Sequence, residues 1–345
     1  MLKGKVSILL FSSLLLMSAC SKEEDIASVN EDQLIQQEQP AAVEVETIQH
    51  PLTGLVAEQE EITQRPVAVM INNHPAARPQ SGLHKADLVY EVLAEGNITR
   101  FLAVFQSEIP DIIGPVRSAR PYYIDLSKGF QSLYIAHGYS PIAKEKLDNG
   151  EVNSINGMKY DGSLFWRADH RVAPHNSYIS KENILKGAEK EGFETTTDVE
   201  PLDFLKEEET NDLIGEPLNK FVIKYDNSLT WQATYEYNQA DKRYSRYSNN
   251  EQTVDLESGE AISLANVFVV EMDHQIKDDY GRRDINLTSG GKALLFQNGR
   301  QYEVEWENKD GRILPVSGGE AVKLAPGRTW INIVPDLSTS FLVQS

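Results

Sequence analysis

The residue types best suited to binding chemistry lie in a short loop that contains two arginines. Arg117 and Arg120 follow the turn sequence Gly114-Pro115, and Pro121 comes directly after Arg120. Proline suits the first turn of a helix, so this order predicts a helix that begins beside the arginines. Guanidinium groups near the free amides of a helix start can hold an anion. The alternative is that both are ordinary surface arginines.

A second polar cluster lies further along the chain. Arg167 and Arg171 are four residues apart, and His175 and Asn176 follow Pro174. The segment has no helix signal, so we predict an ordered loop, and ordered loops often contain binding sites. Eight side chains from several loops form the candidate ligand-binding set: Arg78, Arg100, Arg117, Arg120, Arg167, Arg171, His175 and Asn176. The alternative is that these groups hydrogen-bond inside the protein and hold long loops in place.

The sequence contains no catalytic motif to which a reaction could be assigned. It has no Gly-x-Ser-x-Gly elbow, no Walker phosphate loop and no Gly-x-Gly-x-x-Gly fingerprint. Histidines and carboxylates also lack the tight spacing of a zinc site, so we predict neither a metal nor a cofactor. The catalytic residues, if any, stay unassigned.

The charge of the chain opposes nucleic-acid binding. Its 345 residues include 33 Lys and Arg against 52 Asp and Glu, a net charge of −19. Residues 65–190 hold 15 basic against 13 acidic residues, a net of +2, whereas residues 191–345 hold 15 against 28, a net of −13. Of these two segments, the one with the arginine loop is therefore not acidic, which favours an anion site there.

The N-terminus has the pattern of a lipoprotein signal. Lys3 and Lys5 precede an apolar run at residues 6–17 that is too short for an ordinary membrane-spanning helix. The order Met17-Ser18-Ala19-Cys20 resembles a bacterial lipobox, and Cys20 is the single cysteine. We predict a signal peptide at residues 1–19 and lipidation of Cys20 by acyl chains such as palmitate. The protein would then be anchored to the outer face of the cytoplasmic membrane.

Three further regions follow the signal peptide. Residues 20–64 are rich in Glu and Gln and have no aromatic residue, which predicts an acidic, disordered tether. Residues 65–200 alternate apolar strand patterns with helix patterns, which predicts an α/β domain with a mixed sheet. Residues 201–345 predict a smaller, mostly antiparallel β domain, with a hairpin at Asn298-Gly299. The predicted strands are 67–71, 88–93, 99–105, 133–136, 230–237, 268–272 and 330–334, and the predicted helices are 122–130, 142–147 and 181–191.

Six segments together identify a known family. Residues 65–73 (Arg-Pro-Val-Ala-Val-Met-Ile-Asn-Asn), 114–120 and 171–176 are similar to motifs of the YerB-like family of Gram-positive lipoproteins. So are residues 77–83, 86–91 and 99–101, in the same order, and the resemblance covers about residues 50 to 335. It implies an N-terminal domain of the family type and a smaller C-terminal domain. It implies no reaction.

Two hypotheses of function follow. In the first, the protein binds an anionic component of the cell envelope, such as a cell-wall polymer, or a membrane-bound envelope protein. In the second, it is an enzyme that acts on a phosphorylated or carboxylated cell-wall precursor, with Asp87 or Glu91 as the base. Convergence of the candidate arginines beside such a carboxylate would favour the enzyme, and scattered arginines would favour binding.

Overall fold

The structure of the protein is a computed structural model that describes residues 47–206, 209 and 212–344. The predicted signal peptide, Cys20 and residues 20–46 of the predicted tether lie outside the described residues. Within the described ranges, no helix combines the length and the apolar character that crossing a bilayer requires.

Most of the described helices are short and lie in the first half of the chain. The α-helices are α1 (Gln59–Ile62), α2 (Pro121–Lys128), α3 (Pro141–Asp148), α4 (Gly157–Tyr160), α5 (Lys181–Glu191) and α6 (Leu337–Ser340). Three 3-10 helices cover Pro75–Ala77, Leu83–Lys85 and Leu229–Trp231.

Strands make up most of the second half. Up to residue 200 the strands are β1 (Val67–Asn72), β2 (Leu88–Leu93), β3 (Thr99–Phe105), β4 (Ile112–Ile113), β5 (Leu133–Ala136), β6 (Ser154–Asn156), β7 (Phe165–Arg167) and β8 (Ser177–Ser180). From there to Gln297 they are β9 (Glu216–Pro217), β10 (Lys220–Lys224), β11 (Gln232–Asn238), β12 (Arg243–Ser248), β13 (Glu251–Gln252), β14 (Ser263–Leu264), β15 (Asn266–Glu271), β16 (His274–Ile276), β17 (Arg283–Ile285) and β18 (Gly291–Gln297). The last are β19 (Arg300–Lys309), β20 (Arg312–Ser317), β21 (Glu320–Ala321), β22 (Thr329–Val334) and β23 (Phe341–Val343).

One large sheet passes through both halves of the chain. Its strand order is β21-β20-β19-β18-β15-β22-β2-β3-β1-β5-β6, with β9 paired to β19. The halves meet where β22 runs parallel to β2, with Trp330 opposite Val89. Side chains on β2 therefore lie next to side chains of the C-terminal half.

The predicted fold class is confirmed. In the N-terminal part, β1 pairs antiparallel with β3 and parallel with β5, and helices connect the strands. In the C-terminal part most pairs are antiparallel, and β15 with β22 is a parallel pair. The predicted hairpin is formed by β18 and β19 and turns at Asn298 and Gly299, whose φ angles of 53° and 70° fit a type I′ turn.

The continuous apolar run in β1 reflects burial on both faces of the sheet. Val67, Val69 and Ile71 belong to the core on one face, and Ala68 and Met70 belong to the core on the other. Alternation along a strand requires this division, because successive side chains point to opposite faces.

The folded part of the chain begins before the predicted boundary at Arg65. Gln49 and Val56 form a β-bridge, and the turn between them buries Leu52 completely. The turn is held by backbone hydrogen bonds from Leu202 to Pro51 (2.9 Å) and from Gly327 to Thr53 (2.7 Å). Composition alone could not reveal this, because the contact depends on residues far along the chain.

Candidate functional site

The arginine loop is fixed to the sheet through its backbone. Val116 forms a β-bridge with Ile71, and the Arg117 amide donates to the Met70 carbonyl of β1 at 2.8 Å. On the other side, the His137 amide, just after β5, donates to the Arg117 carbonyl at 2.9 Å. Arg117 therefore lies between the ends of two neighbouring parallel strands. Pro121 begins α2, as its position after Arg120 predicts.

Arg100 and Arg120 share an internal acidic partner. Nη2 of Arg100 lies 2.7 Å from Oε2 of Glu95, and Arg120 donates to Oε1 of the same carboxylate. Arg100 also donates to the Ser118 carbonyl at 2.9 Å. Both side chains thus hold the loop in place, which corresponds to the structural alternative for these two candidates.

Arg167 and Asn176 also satisfy each other and their neighbours. Nη2 of Arg167 lies 2.8 Å from Asp161 and 2.9 Å from Nε2 of His137, and Nη1 donates to Oδ1 of Asn176 at 3.4 Å. The exposed ion pair with Asp161 balances the charge of Arg167, and Arg167 occupies the side-chain oxygen of Asn176.

Arg117 and Arg171 differ because their partners are neutral. Arg117 donates to the Pro174 carbonyl at 3.3 Å, and Arg171 donates to the Ala76 carbonyl at 2.8 Å. Neither arginine forms an ion pair with any described acidic residue, and the Nε atom of each is buried with no hydrogen-bond partner there. Burial, followed by the charges of Arg100 and Arg120, lowers the pKa of Arg117 to about 10, so the side chain stays charged at neutral pH.

Two stacked histidines lie beside these arginines. The rings of His74 and His175 are 4.4 Å apart at 23°. Nδ1 of His175 accepts from the side-chain nitrogen Nδ2 of Asn72 at 2.8 Å, which places the proton of the neutral ring on Nε2. Burial, followed by the charges of His74, Arg117 and Arg171, lowers the pKa of His175. We call His74, Arg117, Arg171 and His175 the cationic patch.

Arg78 faces a different part of the molecule. Its guanidinium donates to Oδ1 of Asn73 at 3.0 Å and to the Thr230 carbonyl at 3.3 Å. It lines a cleft between the two halves of the chain. The eight candidates therefore do not converge on one site.

The two carboxylates considered as general bases are not available to a substrate, which corrects that expectation. Asp87 is fully buried and accepts from the backbone amides of Gln106 (2.6 Å) and Ser107 (2.8 Å); burial raises its pKa. Glu91 is 2% exposed and is surrounded by hydrogen-bond donors. Both lie at or beside β2, which has a neighbouring strand of the sheet on each side, β22 and β3. Among the described residues, no group of three or more His, Cys, Asp or Glu side chains could hold a metal ion.

Arg246 and Trp330 are the partners of Glu91 that sequence reasoning missed. Nη2 of Arg246 and the indole nitrogen of Trp330 lie 2.8 Å and 3.0 Å from Oε2 of Glu91. The sequence signal is weak, because the strand face that alternation gives to Arg246 holds Tyr244 and the polar Ser248. An arginine on an apolar strand face indicates a buried acidic partner.

The same substitution at two positions of the arginine loop separates the structural role from the binding role. We expect Arg120→Gln to lower the free energy of unfolding by about 1–2 kcal/mol, because it removes a charged hydrogen bond to the partly exposed Glu95. We expect Arg117→Gln to change it by less than about 0.5 kcal/mol, because no ion pair is lost. Urea denaturation measures both, and equal losses would contradict the distinction.

The comparisons with known proteins agree with this architecture. Residues 52–194 match the N-terminal domain, and residues 221–331 the C-terminal domain, of the family described as "Protein of unknown function (DUF3048)". The chain belongs to this two-domain family, which confirms the resemblance predicted from the sequence motifs.

Two similarities to particular proteins support this assignment, one to a protein named as a lipoprotein and one to a protein of known structure. A Bacillus subtilis (strain 168) protein named "Putative lipoprotein YerB" is 49% identical over 294 residues, which cover 84% of this chain and 87% of that protein. The crystal structure of YerB protein from Bacillus subtilis superposes with a TM-score of 0.81 at 47% identity. It covers 86% of this chain and 100% of that one.

Proposed function

We propose that the protein is a lipoprotein, anchored through Cys20 to the outer face of the cytoplasmic membrane, whose cationic patch binds an anionic cell-wall polymer. The lipobox pattern and the name of the Bacillus subtilis relative support the anchor. The absence of an ion pair for Arg117 and Arg171 among the described residues supports the binding role, and it is the observation on which the proposal depends.

A bound anion would supply the acidic partner that Arg117 and Arg171 lack among the described residues. A partly buried cation without an acidic partner loses hydration and gains no ion pair in return. A phosphate or carboxylate oxygen could accept from the terminal Nη nitrogens of Arg117 and Arg171, which lie at the exposed ends of both side chains. Binding fits the site better than catalysis, because Asp87 and Glu91 are buried and hydrogen-bonded.

Site-directed photocrosslinking in intact cells tests this function. Val172 lies between Arg171 and His175 and is 81% exposed, so a photoreactive amino acid there would reach a ligand on the cationic patch. Ile276 is 65% exposed on β16 and serves as the matched control. We expect the Val172 probe to capture a wall polymer that mass spectrometry identifies, and the Ile276 probe to capture much less. If the Val172 probe captured a protein, the ligand would be an envelope protein and not a polymer. Equal capture at both positions would contradict the site.

The anchor has its own test. We expect Cys20→Ala to abolish lipidation, so the protein is released into the medium or accumulates as an uncleaved precursor. Cell fractionation and gel mobility measure this outcome. Membrane retention at the mature size in the variant would contradict the anchor.

Binding at the cationic patch is expected to depend on pH through His175. In the free protein, burial, followed by the charges of His74, Arg117 and Arg171, lowers the pKa of His175. A bound anion offsets these charges and raises the pKa of His175, so the protein binds the anion more tightly when His175 is protonated. We therefore expect affinity for a phosphodiester polymer to rise as pH falls from about 7 towards 5, below the ordinary histidine pKa of about 6.5.

Histidine variants check this pH dependence. The ring of His74 stacks on that of His175, and the pKa of His74 is also lowered. The double variant His74→Gln, His175→Gln is therefore the decisive one. His170→Gln is the control, because that side chain is exposed and lies outside the cationic patch. A pH-independent affinity in the unaltered protein, or an unchanged pH dependence in the double variant, would contradict the role of these histidines.

A further inference from the structure

A tryptophan from the C-terminal half stands beside the cationic patch. Trp231 ends the 3-10 helix Leu229–Trp231, and its ring lies 6.3 Å from the ring of His74 at an angle of 61°. His74 in turn stacks on His175 at 4.4 Å. The three rings therefore form an aromatic row that begins in the cationic patch and ends on the other half of the chain.

Backbone hydrogen bonds fix the two ends of this aromatic row relative to each other. Nη2 of Arg78 donates to the Asn73 carbonyl at 2.9 Å and to the Thr230 carbonyl at 3.3 Å. These two carbonyls belong to the residues directly before His74 and Trp231. The distance between the two rings is thus set by a shared guanidinium group.

The ring of Trp231 has no role in the interior. Trp231 is partly exposed and packs against neither of the two buried hydrophobic cores. Its indole Nε1 forms no hydrogen bond with the described residues and is not buried. Trp306 and Trp330, by contrast, are buried, and their indole nitrogens donate to the Glu271 carbonyl and the Glu91 carboxylate. Trp231 is therefore available to a ligand.

The histidines of the aromatic row offer hydrogen-bond donors that a ligand can reach. Nδ1 of His74 accepts from the Ala76 amide at 3.1 Å, so Nε2 carries the proton of the neutral ring, as it does in His175. Neither Nε2 atom forms a hydrogen bond with the described residues, and neither is buried. An anion held by Arg117 and Arg171 thus finds two further donors even when both rings are neutral.

The neighbourhood of Trp231 has room for a ring. A cleft of about 210 Å³ opens there, and its lining includes Pro75 and Thr230, the residues next to His74 and Trp231. The lining also includes the exposed amide side chains of Asn249 and Gln252. Amide groups of this kind both donate and accept, as the hydroxyl groups of a sugar do.

We propose that the cationic patch and Trp231 together recognise a glycosyl phosphate unit, in which a pyranose sugar is linked directly to a phosphate. The phosphate accepts from Arg117, Arg171 and the histidine Nε2 atoms, and the sugar ring lies against the indole of Trp231. The faces of an aromatic ring carry partial negative charge and the C–H groups of a pyranose carry partial positive charge, so the two surfaces attract each other. This inference rests on the proposed function and narrows it to polymers with a sugar next to the phosphate.

Calorimetry on the full-length protein in detergent tests the inference with two synthetic oligomers that carry the same number of phosphates. One is an oligo(glucosyl phosphate), and the other is an oligo(glycerol phosphate), which has no ring to place on Trp231. We expect the glucosyl oligomer to bind at least about tenfold more tightly, an effect of the size that a base stacked on an aromatic side chain gives. Equal affinity for the two oligomers would overturn the inference and leave the proposed function standing. Failure of both oligomers to bind would contradict the proposed function itself.

Variants of Trp231 connect this preference to the ring. We expect Trp231→Ala to lower the affinity for the glucosyl oligomer to that for the glycerol oligomer, and to leave the latter unchanged. Trp231→Tyr keeps an aromatic face and should retain most of the preference. Tyr280→Ala is the control, because Tyr280 is 76% exposed and lies outside the aromatic row. An undiminished preference in Trp231→Ala would overturn the inference.

Tryptophan fluorescence gives a second measurement that does not depend on the stability of the alanine variant. We expect saturating glucosyl oligomer to protect tryptophan emission of the unaltered protein from quenching by acrylamide, because the sugar covers the indole of Trp231. The protection should disappear in Trp231→Phe. Protection that persists in Trp231→Phe would place the sugar on another tryptophan and overturn the inference.

Discussion

We expect Glu91→Gln to lower the free energy of unfolding by about 3–5 kcal/mol, because it leaves Arg246 as an uncompensated buried charge. The two side chains are 2% and 1% exposed and lie 2.8 Å apart. Glutamine has nearly the shape of glutamate, so the loss reports the charge rather than a cavity. The other oxygen of Glu91 accepts from Asn73 (3.1 Å) and Thr99 (3.0 Å), and these bonds would also weaken.

We expect this substitution to destabilise the whole folded part of the chain. The reason is that the ion pair joins β2 in the N-terminal half to β12 in the C-terminal half. The guanidinium of Arg246 also lies 4.7 Å from the ring centre of Trp330 on β22. Urea denaturation followed by tryptophan fluorescence measures the loss. Glu236→Gln is the matched control: its ion pair with Lys220 is exposed, so we expect a change of less than about 1 kcal/mol.

A double variant separates charge from packing at the same place. Replacing Glu91 by Gln and Arg246 by Met removes both charges, and we expect it to be more stable than Glu91→Gln alone. A single Glu91→Gln variant that unfolds like the Glu236→Gln control would contradict the structural importance of this ion pair.

We expect a protein that begins at residue 65 to be less stable by at least about 3 kcal/mol than one that begins at residue 47. The shorter chain lacks Leu52, which is completely buried, and loss of a buried leucine side chain costs about 2–5 kcal/mol. It also lacks Gln64, whose side chain donates to the Gln106 carbonyl at 2.8 Å. Thermal and urea denaturation of the two truncated proteins measure the difference.

Two controls define this result. The protein that begins at residue 47 is expected to unfold like the full-length chain, because residues 21–46 contain no aromatic residue to contribute to a core. Leu52→Ala in the full chain is expected to reproduce most of the loss. Equal stability of the proteins that begin at 47 and 65 would show that the turn around Leu52 contributes little.

Local patterns in the sequence were enough to predict individual elements. β2 and β3 have the predicted bounds, and α5 begins after Ser180, whose hydroxyl accepts from the Asn183 amide at 3.1 Å as a helix cap. Gly192 ends that helix with a φ of 69°. These features depend on neighbouring residues, so the sequence displays them directly.

Contacts between distant segments could not be predicted in the same way. No local signal pairs β2 with β22 or Glu91 with Arg246. Likewise, the sequence shows Arg117 and Arg120 as equivalent candidates, and only the position of Glu95 separates them. Which cation has a partner is decided by tertiary packing, and that is what determines the candidate site.

Cosedimentation with purified Gram-positive cell walls tests the central claim most directly. The full-length protein is compared with the double variant Arg117→Gln, Arg171→Gln, using walls that retain their phosphate polymers and walls from which these have been extracted. We expect the protein to bind the intact walls and the double variant, still folded at the assay temperature, to bind at least about tenfold more weakly, since charged contacts contribute about 1.5–3 kcal/mol each. We also expect little binding to the extracted walls. Equal binding of the protein and the double variant to intact walls would contradict the account.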